Sequence, residues 1–113
     1  MNNLIIEAPK IPLCINGKEF SFVPDSEFAE RLSLLADEAG KRAEACKKTG
    51  EDGYEASAFL SYAVDTLIVD GAVEKIFGDT LPDPIDLCDI LGYIADAFHS
   101  YRKRRLRRLK EGC

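Results

Sequence analysis

Residues 54–77 read YEASAFLSYAVDTLIVDGAVEKIF, from Tyr54 to Phe77, and this is the most continuously apolar stretch of the chain. Phe59, Tyr62, Ala63, Leu67, Val73 and Ile76 spread its apolar face wider than a single helical seam, as a buried helix requires. It contains no histidine, cysteine or arginine, so its chemistry is packing, and the other elements are expected to fold around it. Asp70-Gly71 interrupts the pattern. Glycine costs about 1 kcal/mol against alanine in a helix interior, so a kink or a break into two helices is admitted there. Gly78 is placed as the residue just past the helix end, with Asp79-Thr80-Leu81-Pro82 as the exit.

Before this stretch, Ile11 to Ile15 and Lys18 to Val23 flank Asn16-Gly17, the dipeptide suited to a type I′ turn because both central residues need positive φ. A two-residue loop sets Ile15 opposite Lys18, Leu13 opposite Phe20 and Ile11 opposite Phe22, gathering five apolar side chains on one face of the ribbon. That face must cover either the domain's own helices or another subunit. Leu4 to Glu7 are expected to add a short extended segment or a loose arm. A first helix is predicted from Asp25, its cap, with Phe28, Leu32, Leu35, Ala39, Ala43 and Cys46 as its apolar stripe. Thr49 to Gly53 read as a loop.

After the central stretch, Asp83 as N-cap, Pro84 at the first helical position and Asp86 in the first turn start the last helix. Leu87, Leu91, Ile94, Phe98 and Tyr101 form its stripe. The helix is expected to continue past the core through RKRRLRRLK. The fold class is therefore α+β, mainly α: an N-terminal β-hairpin followed by three long helices, the middle one kinked or broken near Asp70-Gly71. One domain spans residues 1–113, with the arm and hairpin at 4–24, a helical body at 25–101 and a basic helical end at 102–113. A length of 113 residues suits one core, and 46% hydrophobic with 31% charged residues suits a folded chain.

The net charge of −5 hides a division along the chain. Arg102, Lys103, Arg104, Arg105, Arg107, Arg108 and Lys110 crowd into residues 102–110, leaving eight bases against nineteen acids in residues 1–101. A basic end on an acidic body calls for an acidic partner, either nucleic acid or a neighbouring copy. No interleaved aromatic platform or helix-turn-helix pattern accompanies it, which weakens sequence-specific readout.

Other residues carry bland readings. Cys14, Cys46, Cys88 and Cys113 lie far apart, without CxxC and with His99 as the only histidine, so a zinc site is not expected. The opening MNNLIIEAPKIPL has no basic start and its apolar run is broken at Glu7 and Pro9, so the cysteines are expected as reduced thiols in a cytosolic protein. No run reaches the length of a membrane span. His99 lacks a partner serine, cysteine or carboxylate motif and reads as a surface or packing residue. On a continuous helix several of Asp65, Asp70, Glu74 and Asp79 would share a solvated edge, a reading that outweighs a cation site or an acid–base pair. Gly71 and Gly78 do not make a phosphate loop.

AVDTLIVDGAVEKIFGD (63–79), followed after a proline-containing turn by DLCDILGYIADAFHSYRKRR (86–105), resembles the small tail assembly chaperone proteins of long-tailed bacteriophages and prophages of Gram-positive bacteria. The INGKEFSF hairpin (15–22) is similar to the strand pair with which many of them begin. The resemblance implies a non-enzymatic protein of the host bacterial cytoplasm, without catalytic residues, metal or cofactor. Its implied work is to coat the apolar helices of the tape-measure protein until tail-tube subunits displace it. A holdase needs an exposed apolar surface and self-association to cover a long client, so a homo-oligomer is expected. Phe20, Phe22, Ile76 and Phe77 are the expected protein-interaction residues. The basic end has no counterpart in the resemblance, and a nucleic-acid-associated regulatory protein acting through it is the alternative reading.

Overall fold

A computed structural model describes residues 3–4, 9–49 and 54–112, the side chains of 43, 45–49, 54–56 and 112 excepted. The architecture is mainly helical, with an N-terminal antiparallel hairpin: β1 (Ile11–Ile15), β2 (Lys18–Phe22), α1 (Ser26–Thr49), α2 (Tyr54–Leu67), α3 (Ala72–Phe77) and α4 (Pro84–Gly112). Thr49 closes α1. The rest of the expected loop (50–53), most of the expected arm (5–7), the Ala43 and Cys46 positions of the stripe, and the Cys113 thiol lie outside what is described. Among the described residues no helix is long and apolar enough to cross a membrane.

The hairpin has the register the turn dictates, with Ile15 opposite Lys18, Leu13 opposite Phe20 and Ile11 opposite Phe22. Asn16 and Gly17 both take positive φ, 51° and 78°, as a type I′ turn requires. Of the two partners open to the apolar face, it is the chain's own helices that it covers. Ile11, Leu13, Ile15 and Phe22 are buried in the core cluster. Phe22 stacks on Phe28 at 4.3 Å between ring centroids, and Phe28 meets Phe98 at 5.2 Å, tying β2 to α1 and α4. Burying each such ring contributes about 1.5–3 kcal/mol.

Asp25 caps α1, its Oδ1 accepting from the Phe28 N–H at 2.8 Å. At the other end of the chain, Asp83 Oδ1 accepts from the Ile85 N–H at 2.7 Å, with Pro84 as the first residue of α4. Both starts are local devices that satisfy otherwise free amides.

The central stretch is broken, not merely bent. α2 ends at Leu67, and Gly71 adopts φ 85°, a left-handed conformation that side chains with a Cβ avoid. The Val73 N–H at the start of α3 donates to Asp65 Oδ1 at 2.9 Å, so a carboxylate of α2 caps α3 across the break. The expectation of a solvated acidic edge shared by several of Asp65, Asp70, Glu74 and Asp79 is corrected by this at Asp65, while the other three are exposed. It required a continuous helix, and Asp65 is instead half-buried at the junction. Gly78 ends α3 with φ 62°, its N–H donating to the Glu74 carbonyl at 2.7 Å.

The inward face of the central stretch includes the expected Ala63, Leu67, Val73 and Ile76 but is centred differently. Leu60, Ala63, Val64 and Leu67 are buried, whereas Tyr62 is 61% exposed. In α4 the buried row is Leu87, Ile90, Ile94 and Phe98, with Leu91 and Tyr101 only partly covered. Beyond Tyr101 the helix leaves the core, and Leu106 and Leu109 are exposed. A helix of 29 residues is about 43 Å long. This projection gives a radius of gyration of 16.8 Å and extents of 63 × 29 × 19 Å, where about 13 Å is usual for a compact domain of this size.

Candidate functional site

α2 packs against both α1 and α4, so it forms the floor between them. On the α1 side the walls are Leu32, Leu35, Ala36 and Ala39, and on the α4 side Cys88, Leu91, Gly92 and Ala95. Leu60 and Leu67 of α2 line the bottom of a groove of about 270 Å³. Among the described residues no charged side chain lines it. The small residues matter as much as the leucines: Ala36, Ala39, Gly92 and Ala95 keep the walls low, so an incoming helix can approach closely. An apolar groove between two helices is the geometry that receives one face of an amphipathic or apolar helix.

Sequence reasoning selected Leu32, Leu35, Ala39, Leu67 and Leu91 of this groove as apolar-stripe residues and passed over Ala36, Leu60, Cys88, Gly92 and Ala95. The available signal was small residues recurring at three- and four-residue spacing on two separate helices, a pattern equally consistent with tight internal packing.

The four residues expected to meet a partner occupy different situations. Phe22 and Ile76 are buried in the chain's own core, at 5% and 6% exposure, and their surface is committed there. Phe20 and Phe77 are half-buried at its margin. All four belong to or border one apolar cluster, but none lines the groove between α1 and α4.

The seven bases Arg102, Lys103, Arg104, Arg105, Arg107, Arg108 and Lys110 are all exposed on the projecting part of α4. At 100° per residue they surround the helix and do not gather on one face. Arg102 lies 5.8 Å from the Phe98 ring centre and Arg105 6.0 Å from that of Tyr101, so aromatic faces anchor the first turns of this end.

Polar chemistry is sparse. His99 is exposed, beside the ring of its neighbour Phe98. Cys14 and Cys88 are exposed free thiols. Among the described residues no group of three histidine, cysteine or acidic side chains is placed to hold a metal ion, and no polar side chain is buried. No protein-family model, curated protein or solved structure matches the chain.

Proposed function

We propose that the chain is a non-enzymatic assembly chaperone that holds an apolar helix of a client in the groove between α1 and α4. The observation that carries this reading is the groove itself: an open channel with leucines at its floor, alanine and glycine at its walls and, among the described residues, no charge in its lining. Joined to the resemblance of residues 63–79 and 86–105, it makes the client a helix of a phage tape-measure protein, displaced later by tail-tube subunits, in the host bacterial cytoplasm. Release needs no covalent step, since a higher-affinity partner for the same apolar face suffices.

The test is binding of synthetic apolar helices of the kind a tape-measure protein carries. Affinity should follow the apolar face of the peptide, and chemical shifts of Ala36, Ala39 and Ala95 should move on binding. Binding that moves only residues 102–110 would refute the groove. The genes on either side give a further check, with a tail-tube gene before and a tape-measure gene after as the expected arrangement.

One observation favours a second reading. The basic helix projects clear of the core with every base exposed, which suits phosphate contacts and would serve a nucleic-acid-associated regulator. Salt-sensitive binding to duplex DNA without affinity for apolar helices would replace the chaperone reading by this one.

A further inference from the structure

In a two-residue hairpin the pairs Ile15/Lys18, Leu13/Phe20 and Ile11/Phe22 exchange backbone hydrogen bonds, while the alternate residues turn their N–H and C=O groups outward. On β1 these outward residues are Pro12 and Cys14. That edge is closed: Pro12 has no N–H, and the Cys14 N–H donates to the Tyr93 hydroxyl at 3.2 Å. On β2 they are Glu19 and Ser21. Both are exposed, and among the described residues their backbone groups have no hydrogen-bond partner. An unpaired strand edge is a template for another strand.

The surroundings of this edge are partly apolar. A cleft of about 430 Å³ beside it brings half-buried Phe20 alongside Ile68 and Val69 of the connection between α2 and α3, and Val69 is 45% exposed. Lys18, next to the turn, is drawn aside, its Nζ donating to the Lys75 carbonyl at 2.5 Å. Hydrogen-bonding groups and an apolar flank thus lie together on one open strand.

We propose that the outer edge of β2 pairs antiparallel with β2 of a second copy, about a two-fold axis through Phe20, giving one four-stranded sheet in the order β1-β2-β2-β1. The register follows from the residues. Centring the axis on Phe20 sets Glu19 opposite Ser21 of the other copy, so all the outward groups of both are used in about four interstrand hydrogen bonds. The two Phe20 rings then meet at a closely spaced pair, beside Ile68 and Val69 of each copy. Moving the axis to Glu19 opposes two carboxylates, which is unfavourable. Moving it to Ser21 requires Val23, whose carbonyl already accepts from the Asp25 N–H at 2.9 Å and which Pro24 follows. The edge is self-complementary in one register alone, which is the property of a two-fold contact. This association is independent of whether the groove between α1 and α4 takes a client.

Sedimentation of the full chain from micromolar to submillimolar concentration should show a monomer–dimer equilibrium. Ser21→Pro removes an outward donor that the hairpin does not use, just as Pro12 lacks one at the position it faces, so the fold should remain. Each dimer loses about two hydrogen bonds, and its Kd should rise tenfold or more. In a chain with Cys14, Cys46, Cys88 and Cys113 changed to serine, Glu19→Cys and Ser21→Cys molecules mixed together should form disulfide-linked pairs, because hydrogen-bonded residues lie about 5.5 Å apart. Glu19→Cys alone should not. If Ser21→Pro does not fold, the mixed cross-linking decides. A monomer at every concentration, an undiminished dimer in folded Ser21→Pro, cross-linking of Glu19→Cys to itself, or a monomer that instead takes an added extended peptide along β2 would each overturn the proposal.

Discussion

Gly92 is the point at which stability and client binding are expected to move in opposite directions. It lies inside α4 on the wall of the groove, and a Cβ built there meets no atom within 4 Å. It has no positive φ, so nothing in the backbone calls for glycine. Gly92→Ala should therefore stabilise the chain by about 1 kcal/mol, the difference in helix propensity. With an unfolding entropy of about 2.1 cal/mol/K per residue, this corresponds to a rise in Tm of about 4 °C. Gly92→Gln should keep part of that gain while placing an amide in the groove. Covering that amide with an apolar helix costs about 1–3 kcal/mol, a loss of affinity between about 5-fold and about 150-fold. Thermal unfolding by circular dichroism and titration with a fluorescent apolar helix measure the two effects. A lower Tm for Gly92→Ala would mean that the groove is closed in solution. A stabilised Gly92→Gln that binds the helix as tightly as the parent would place the client elsewhere.

Three other substitutions bear on the fold and the basic end. Asp65→Ala removes the cap that joins α2 to α3 and should cost about 1 kcal/mol, with faster amide exchange confined to α3. Phe28→Ala takes out the ring held between Phe22 and Phe98 and should cost about 3–5 kcal/mol in denaturant titration, with a value near zero contradicting the packing of hairpin on helices. Replacing Arg104, Arg105, Arg107 and Arg108 together by glutamine should cost no more than about 1 kcal/mol of stability, from the lost Arg105–Tyr101 contact, and weaken capture of acidic or helical partners most at low salt, since exposed charges are screened over about 8 Å at physiological ionic strength. Loss of tight duplex-DNA binding in that variant would favour the regulatory reading instead.

The parts of the fold that were legible in the chain are those governed by short-range geometry. Asn16-Gly17 demands positive φ, and a two-residue turn then settles every facing pair of the hairpin. Asp25 and Asp83 lie within reach of the amides they cap, and Pro24 and Pro84 mark the helix starts around them. Gly71 marked the weak point of the central stretch for the same local reason. Composition likewise showed the basic end as a segment apart from the body.

Other features were decided only when the elements packed together. The central stretch is apolar on so much of its circumference that periodicity alone cannot choose its inner face. The neighbours chose Leu60 and Val64 and left Tyr62 outside. Asp65 caps α3 because the break folds α3 back within hydrogen-bonding distance, a contact spanning eight residues that no helical spacing announces. The hairpin's apolar face could have covered a neighbour, and the stack of Phe22, Phe28 and Phe98 assigns it to the chain's own core. The groove has no signature in any single segment, since its floor and two walls come from α2, α1 and α4. Local conformation follows from the few residues that share a turn, whereas burial is a competition among all apolar surfaces at once, and only the assembled structure determines which of them remain open.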